Sequence, residues 1–534
     1  MNPWNIFNSV KIPKVKRNNF DLSHTKLLTT DLGLLVPVLC EHVLPNDTWK
    51  VRTECLVKML ALKAPIMSQL DVYVHYFYVP FRLIWDDFEE FITGGEDGTS
   101  TPVWPTLKFG GGTPRSTYLQ AGSLYDYLGF PVQHSDNWAF EVDQTPFRAY
   151  QFIYNTYYRD QNLEEEIPFS HGSGVTTNND DFRNLMNLRY RKWTKDYFTS
   201  ALPWTQRGAE IRVPFESTAQ GILNVTNGGI AASNGTVKDI RVQPASMSGN
   251  DFQGNGTLTS PSTSLNDIQL TGVNAALPAT LSGLKGPTVN ELRRSIAVQK
   301  WAELSARAGS RYKEHLLAFF GRNNSDGRLQ RPQYLGGGKQ PVVISELLQT
   351  SQTTETSPQG TQTGNGVSLG STNQFKYNFP EDGLVMGIMS IIPKAVYTQG
   401  MPKKYTKRDR FEFGNPMFAH LGEQEIHTSE LYFDPKDQNN NSTFGYTPRY
   451  AEYKFINSSV HGDFHTSMDY WHLGRKFGNA PALNNDFISV LPQDADRIFP
   501  IETGEVKNPG RFYVQLYSHI TAKRPLPRFG TPSI

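Results

Sequence analysis

Residues 69–79 constrain the fold more than any other stretch. They are β-branched and aromatic, and both alternating sets are apolar: Val72, Val74, Tyr76 and Tyr78 on one, Tyr73, Phe77 and Val79 on the other. A strand apolar on both faces must be covered on both faces, which predicts a central strand inside a large core. Pro80 ends it, because proline has no N–H to give to a ladder. Trp85, Phe88, Phe91 and Ile92 then recur at helical spacing with four carboxylates among them, and Gly94-Gly95 closes that turn. The rest of the chain has to supply the covering layers.

Composition bears on what those layers are. Charged residues make up 19% of the 534, below the ~25% of ordinary soluble domains, while aromatics reach 12%. With 44 Gly and 34 Pro, this points to a β-rich, loop-rich chain with large buried surfaces, some of them between subunits. Lys+Arg 52 against Asp+Glu 51 excludes a polycationic surface, so any nucleic-acid contact must come from local patches. Cys40 and Cys55 are the only cysteines, too few for a disulfide framework, and they read as two buried thiols in a reducing compartment. No apolar run is long enough to span a membrane, and Met1-Asn-Pro-Trp4 does not resemble a secretory leader.

Along the chain, residues 1–19 carry Lys11, Lys14, Lys16 and Arg17 and form a short basic arm. Residues 32–44 and 49–60 read as strand, turn and return strand. Residues 146–162 read as a helix, with Phe147, Tyr150, Ile153 and Tyr157 on its apolar side. Residues 189–198 interleave cations with aromatics; this pattern can stack bases and grip phosphates, or simply lay Lys/Arg stems over rings. Charge and aromatics then almost vanish from 217 to 284, where Phe252 is the one ring. Such a segment cannot bury enough apolar area to be core, so it is expected to be a projecting insertion. Thr288 and Glu291 form a capping box that opens a helix with Leu292, Ile296, Trp301 and Leu304 on one side, closed by Gly309. Residues 312–320 continue as a further helical turn. Residues 350–374 are expected as a second polar surface loop. Residues 383–397 read as a buried strand; 450–461, 464–471 and 511–521 are expected to supply the remaining ones.

The densest basic cluster is 403–410, where Lys403, Lys404, Lys407 and Arg408 are candidate nucleic-acid contacts together with Lys11, Lys14, Lys16 and Arg17. Signals for chemistry are weak. Gly336-Gly337-Gly338 lacks the Gly-Lys-Ser/Thr ending of a phosphate loop. His461, Asp463 and His465 would share a face if extended, but no fourth metal ligand stands near them. Glu96-Asp97 falls short of a calcium loop, and 164–166 reads as a solvated acidic face. No catalytic residue, cofactor or metal is assigned.

A series of motifs carries a resemblance: Phe20-Asp-Leu-Ser23, Pro65-Ile-Met67, His75-Tyr-Phe-Tyr-Val-Pro80, Arg82-Leu-Ile-Trp85, Phe91-Ile-Thr-Gly-Gly95, Tyr158-Arg-Asp-Gln-Asn162, Lys195-Asp-Tyr-Phe-Thr-Ser-Ala-Leu-Pro-Trp204, Thr288-Val-Asn-Glu-Leu-Arg293, Arg328-Leu-Gln-Arg-Pro332, Phe418-Ala-His-Leu-Gly422, Pro448-Arg-Tyr-Ala-Glu-Tyr453 and Trp471-His-Leu-Gly-Arg475. In order along nearly the whole chain, they resemble the major capsid proteins of gokushoviruses, single-stranded-DNA phages of the Microviridae.

The resemblance implies an all-β-dominated fold: an eight-stranded antiparallel jelly roll of viral capsid type, spanning 20–534, with long loop and helical insertions. It implies self-assembly into a T=1 icosahedral shell around circular single-stranded DNA, and residence in the virion after assembly in the host bacterial cytoplasm. The implied partners are copies of the chain, the genome, a minor capsid or pilot protein, an internal scaffolding protein and a host cell-surface receptor. It places 217–284 at the three-fold protrusion, with Asn227, Asn234, Asp251, Phe252 and Asn255 as candidate host-facing residues. Trp85, Phe88 and Phe91 are candidate subunit contacts. The alternative is a carbohydrate-binding or carbohydrate-active jelly-roll protein, which would need paired carboxylates along a groove.

Overall fold

The computed structural model describes residues 16–109, 118–132, 140–177, 180–209, 211–212, 216–217, 284–285, 287–309, 311–350, 359–436, 438–500 and 510–529. The chain divides into two compact units, one made of Met1–Arg207 with Ala302–Ile534, the other of Gly208–Trp301.

The principal strands of the first unit are β1 (Asn18–Asp21), β2 (His24–Thr30), β3 (Val36–Val43), β4 (Thr48–Met59), β5 (Leu70–Pro80), β6 (Gln333–Pro341), β7 (Val343–Leu348), β8 (Gln362–Asn378), β9 (Gly383–Pro393) and β10 (Phe512–Arg524). They build two antiparallel sheets. In the first, β1 and β2 lie end to end along β10, followed by β4, β8 and β7. In the second the order is β6-β5-β9-β3. Most spatial neighbours are distant in sequence, so the sheets are closed by long-range pairing and not by a meander of hairpins.

The alternation in β5 sorts its side chains between two cores. Val72, Val74, Tyr76 and Tyr78 pack between the sheets with Trp49, Val51, Cys55 and Val57 of β4 and Val514, Leu516 and Ile520 of β10. Phe77 and Val79 face the other way, with Leu384, Met386 and Ile388 of β9, into a second core roofed by helix α2 (Thr145–Ile153). The second sheet is thus covered twice, and every residue of β9 is buried. In the first sheet, β10 buries alternate residues and leaves the others exposed or half-exposed, the pattern of a sheet with one open face.

Large rings in β5 require small neighbours. Gly336 of β6 and Gly387 of β9 lie opposite Tyr76 on either side. A Cβ on Gly337 would sit 2.4 Å from the Val74 carbonyl and 2.9 Å from the His75 ring. The triple glycine that superficially suggested a phosphate loop is therefore a strand lying close against an aromatic one.

Several sequence expectations change. The strand expected from residue 32 begins at Val36, because Gly33 turns the chain at φ +76°. Of the polar loop expected at 350–374, residues 351–358 lie outside the described residues and 362–374 are strand. Its glycines reflect close packing: a Cβ on Gly364 would meet the Ala64 carbonyl at 2.7 Å. The strands expected at 450–461 and 464–471 are short 3-10 turns instead, at Ala451–Tyr453, Gly462–His465 and Asp469–Trp471. Aromatic enrichment imitated strand there, but Tyr453, Phe455 and Ile456 are exposed and pair with no ladder.

The second unit contains a two-residue antiparallel pairing, Leu284 with Ser217 and Lys285 with Glu216, which brings the two ends of the expected insertion together. Helix α3 (Val289–Ala308) follows, and its capping box is formed: Glu291 accepts from Thr288 N–H at 2.7 Å, and Thr288 Oγ1 accepts from Glu291 N–H at 3.3 Å. Helix α4 (Tyr312–Phe320) lies in the first unit.

Candidate nucleic-acid and subunit interfaces

Residues 402–418 carry too many charges and prolines to join a core helix, so they fold as a string of capped 3-10 turns. Asp409 caps Arg410–Glu412, while the Glu412 carboxylate accepts from Asp409 N–H at 3.1 Å and from Arg408 N–H. Those backbone donors hold Glu412 below the usual carboxylate range. Asn415 caps Pro416–Phe418. The string is fastened to residues 449–453: Arg449 donates to the Phe411 carbonyl at 3.1 Å, Tyr450 to the same carbonyl at 3.4 Å, and Gly414 N–H to Tyr453 Oη at 3.3 Å.

The four candidate cations of this cluster separate into two kinds. Lys407 lies 2.8 Å from Glu452 and 4.0 Å above the Tyr453 ring, with 4% of its side chain exposed. Burial disfavours both charges of that pair, but their mutual hydrogen bond prevails, raising Lys407 and lowering Glu452. Lys403 pairs with the buried Glu430 at 3.5 Å. Both lysines fasten the segment down. Lys404 and Arg408 are exposed, as is Arg410 at the end of the same basic cluster. Lys404 lies over Tyr405 and Arg410 over Phe411, and with Phe413 and Tyr453 these rings are also exposed. Free cations beside exposed rings can contact phosphates and stack bases on one surface. The contribution of 449–456 was missed because its aromatics read as strand.

Of the basic arm, Lys16 is exposed and Arg17 is tied to the β3–β4 turn, donating to Asn46 at its carbonyl (3.2 Å) and Oδ1 (3.1 Å). Lys11 and Lys14 lie outside the described residues. So do Asn227, Asn234, Asp251, Phe252 and Asn255.

Among the candidate subunit contacts, Trp85 and Phe88 are buried in the second core of their own chain, and Trp85 donates to Ser173 Oγ at 2.8 Å. Phe91 and Ile92, on helix α1 (Phe88–Thr93), reach the surface. On α3, Leu292, Ile296, Val298 and Leu304 are each at least 41% exposed; on α4, Tyr312, Leu317 and Phe320 are exposed as well. The sequence shows these apolar residues but not that, among the described residues, they stay exposed.

His461 bonds Ser459 Oγ at 2.9 Å and sits at the cap of a 3-10 turn, so the extended geometry that would align it with Asp463 and His465 is not present. Among the described residues, no cluster of three or more His, Cys, Asp or Glu could hold a metal. Glu164, read as part of a solvated acidic face, is instead turned inward: it accepts from the Tyr154 hydroxyl and pairs with Lys192 at 2.8 Å. No helix among the described residues is long and apolar enough to cross a membrane. Cys55 is buried and its thiol is pushed up to about 12, so it is inert packing.

Comparison with known proteins covers the chain end to end. The family model described as "Capsid protein (F protein)" matches residues 8–534. Among relatives, "Capsid protein VP1" of Chlamydia phage 1 is 32% identical over 593 aligned positions, covering 99% of this chain and 98% of the relative. "Capsid protein VP1" of Bdellovibrio phage phiMH2K is 33% identical over 542 positions, 98% of this chain and 97% of the relative. "Capsid protein VP1" of Spiroplasma virus 4 is 25% identical over 552 positions.

Proposed function

Because the chain belongs to the phage capsid protein (F protein) family, as a structural and non-enzymatic virion protein of gokushovirus type, we propose that it assembles as a T=1 icosahedral shell around circular single-stranded DNA. The fold in this reading is an eight-stranded jelly roll, 20–534. Its support is the strand order, β1/β2-β10-β4-β8 facing β3-β9-β5-β6 across one core, with β7 as an added edge. The alternative of a carbohydrate-active protein gives way to the family's structural role.

The observation that carries self-assembly is the set of large apolar side chains left exposed on α3. Side chains as large as Leu292, Ile296 and Leu304 remain exposed on one face of a capped helix of 20 residues, which a lone soluble subunit rarely leaves uncovered. Lys404, Arg408, Arg410 and Lys16 are the cations we assign to the genome, and Phe91 and Ile92 a further subunit contact. The insertion 217–284 is the host-attachment element, consistent with its ends meeting at Ser217 and Leu284. A minor capsid or pilot protein and an internal scaffolding protein complete the particle.

Sedimentation and negative-stain microscopy of the protein expressed with its viral partners test this reading. Closed shells of one size that protect single-stranded DNA from nuclease are expected. Stable monomers, or empty shells under packaging conditions, would overturn it.

A further inference from the structure

We propose that the cavity between β5 and the segment following α2 is a pocket for one nucleoside monophosphate unit. It is an open cleft of about 670 Å³ within the first unit, lined by His75 of β5, Tyr334 of β6, Tyr157, Tyr158 and Arg191. That volume lies within the ~300–1,000 Å³ range of small-molecule sites.

The charges around it are unequally satisfied. Lys192 pairs with Glu164, Lys195 with Asp160, Arg307 with Glu423 and Arg311 with Glu314. Arg191 makes no such close pair among the described residues: its side chain donates to Ser390 Oγ at 2.7 Å and lies 4.0 Å over the Tyr73 ring, while Asp71, the carboxylate that acts on it from farther off, is paired with Lys339 at 3.6 Å. A guanidinium held in the protein without a close carboxylate is costly unless an anion completes it, and its planar fork matches two phosphate oxygens.

The rest of the wall suits a base. Tyr158 and His75 lie at 24° to each other and share a 2.8 Å hydrogen bond, and Tyr334 stands at 78° to His75. Burial, with Arg191 second, holds His75 down to about 4, so at neutral pH the imidazole is uncharged and does not compete for the phosphate. Phosphate on Arg191 and base stacked against the half-exposed Tyr334 ring is the arrangement that uses both features.

The nucleotide can come from a DNA strand or from solution. The DNA source rests on the genome-enclosing reading; the pocket itself does not. Isothermal titration of purified particles with dTMP, with inorganic phosphate and with a short oligothymidylate measures each arm. Binding of dTMP is expected to be at least tenfold tighter than phosphate. Arg191→Met should weaken dTMP at least tenfold, with Arg191→Lys in between. Tyr334→Ala, at a half-exposed ring, should abolish the preference for dTMP over phosphate while leaving phosphate binding in place. Equal binding of phosphate and dTMP, or insensitivity to both Arg191→Met and Tyr334→Ala, overturns the proposal. Ultraviolet cross-linking of filled particles separates the sources: adducts on the Tyr334 peptide assign the pocket to DNA, and their absence alongside dTMP binding assigns it to free nucleotide. Wild-type particles without DNA would refute the genome reading and leave the dTMP result standing.

Discussion

Replacing Lys404, Arg408 and Arg410 together by alanine separates binding from folding on the basic–aromatic surface. All three are exposed and none makes an ion pair that buries it, so each change should alter subunit stability by no more than about 0.5 kcal/mol. If each neutralises one phosphate of a single strand, removing three lowers the slope of log affinity against log salt by about 0.7 × 3, or roughly 2. Between 50 and 200 mM salt the wild type should then lose about 20-fold more affinity than the variant. Fluorescence anisotropy with a labelled oligothymidylate across that range measures the slope. Lys407→Met is the control. It strips Glu452 of its partner just beneath the surface, at a cost of about 2–3 kcal/mol, somewhat below that of breaking a deeply buried pair. Its denaturant midpoint should fall while the salt slope of the folded fraction is unchanged. An unaltered slope in the triple variant refutes the assignment. So does a Lys407 variant that folds normally and binds DNA less well.

Leu292→Asp with Ile296→Asp should leave subunit stability within about 1 kcal/mol, since both side chains are more than 40% exposed, yet stop shell formation in sedimentation; normal shells would remove α3 from the contacts. Gly364→Ala should cost about 1–3 kcal/mol, because its Cβ meets the backbone at Ala64 and Pro65; Gly366→Ala should cost less, because it meets the flexible end of Met59, and the reverse ranking in urea melts would contradict the packing described. Burial raises Asp31 to about 6 against the pull of Arg511, so the folded state prefers its protonated form. Its stabilising effect is full below pH ~4, is lost as pH rises to ~6 and by then amounts to about 3 kcal/mol, so stability curves of wild type and Asp31→Asn should diverge across that window; parallel curves would show that Asp31 does not titrate there.

How much of this was legible depended on which contacts a residue makes. β4 and β10 are readable because period-two burial is written locally, β5 and β9 because their runs are apolar on both faces, and the Thr288–Glu291 box because both its partners lie within one turn. The Gly-rich start of β8 was not, because its composition matches a loop and only Ala64 and Met59, far away in sequence, explain it. Lys403 and Lys407 look like Lys404 and Arg408 in sequence; Glu430 and Glu452 distinguish them, and no spacing rule links those positions. Trp85 and Phe88 were credible contacts until the second core claimed them.

The order of residues alone establishes that 69–79 lie between two apolar layers, that the chain is β-dominated, and, through motifs along its length, which family it belongs to. What those layers are emerges from the fold: the facing sheet on the side of Tyr76, and α2 with its neighbours on the side of Phe77. The fold also decides which cations remain free to meet a ligand. The difference is one of range. Strand periodicity and helix caps are set by neighbours within a few residues. Cover, ion pairing and cavity walls are set by residues hundreds of positions apart, as with Arg191 and Ser390 or Thr53 and Ser518.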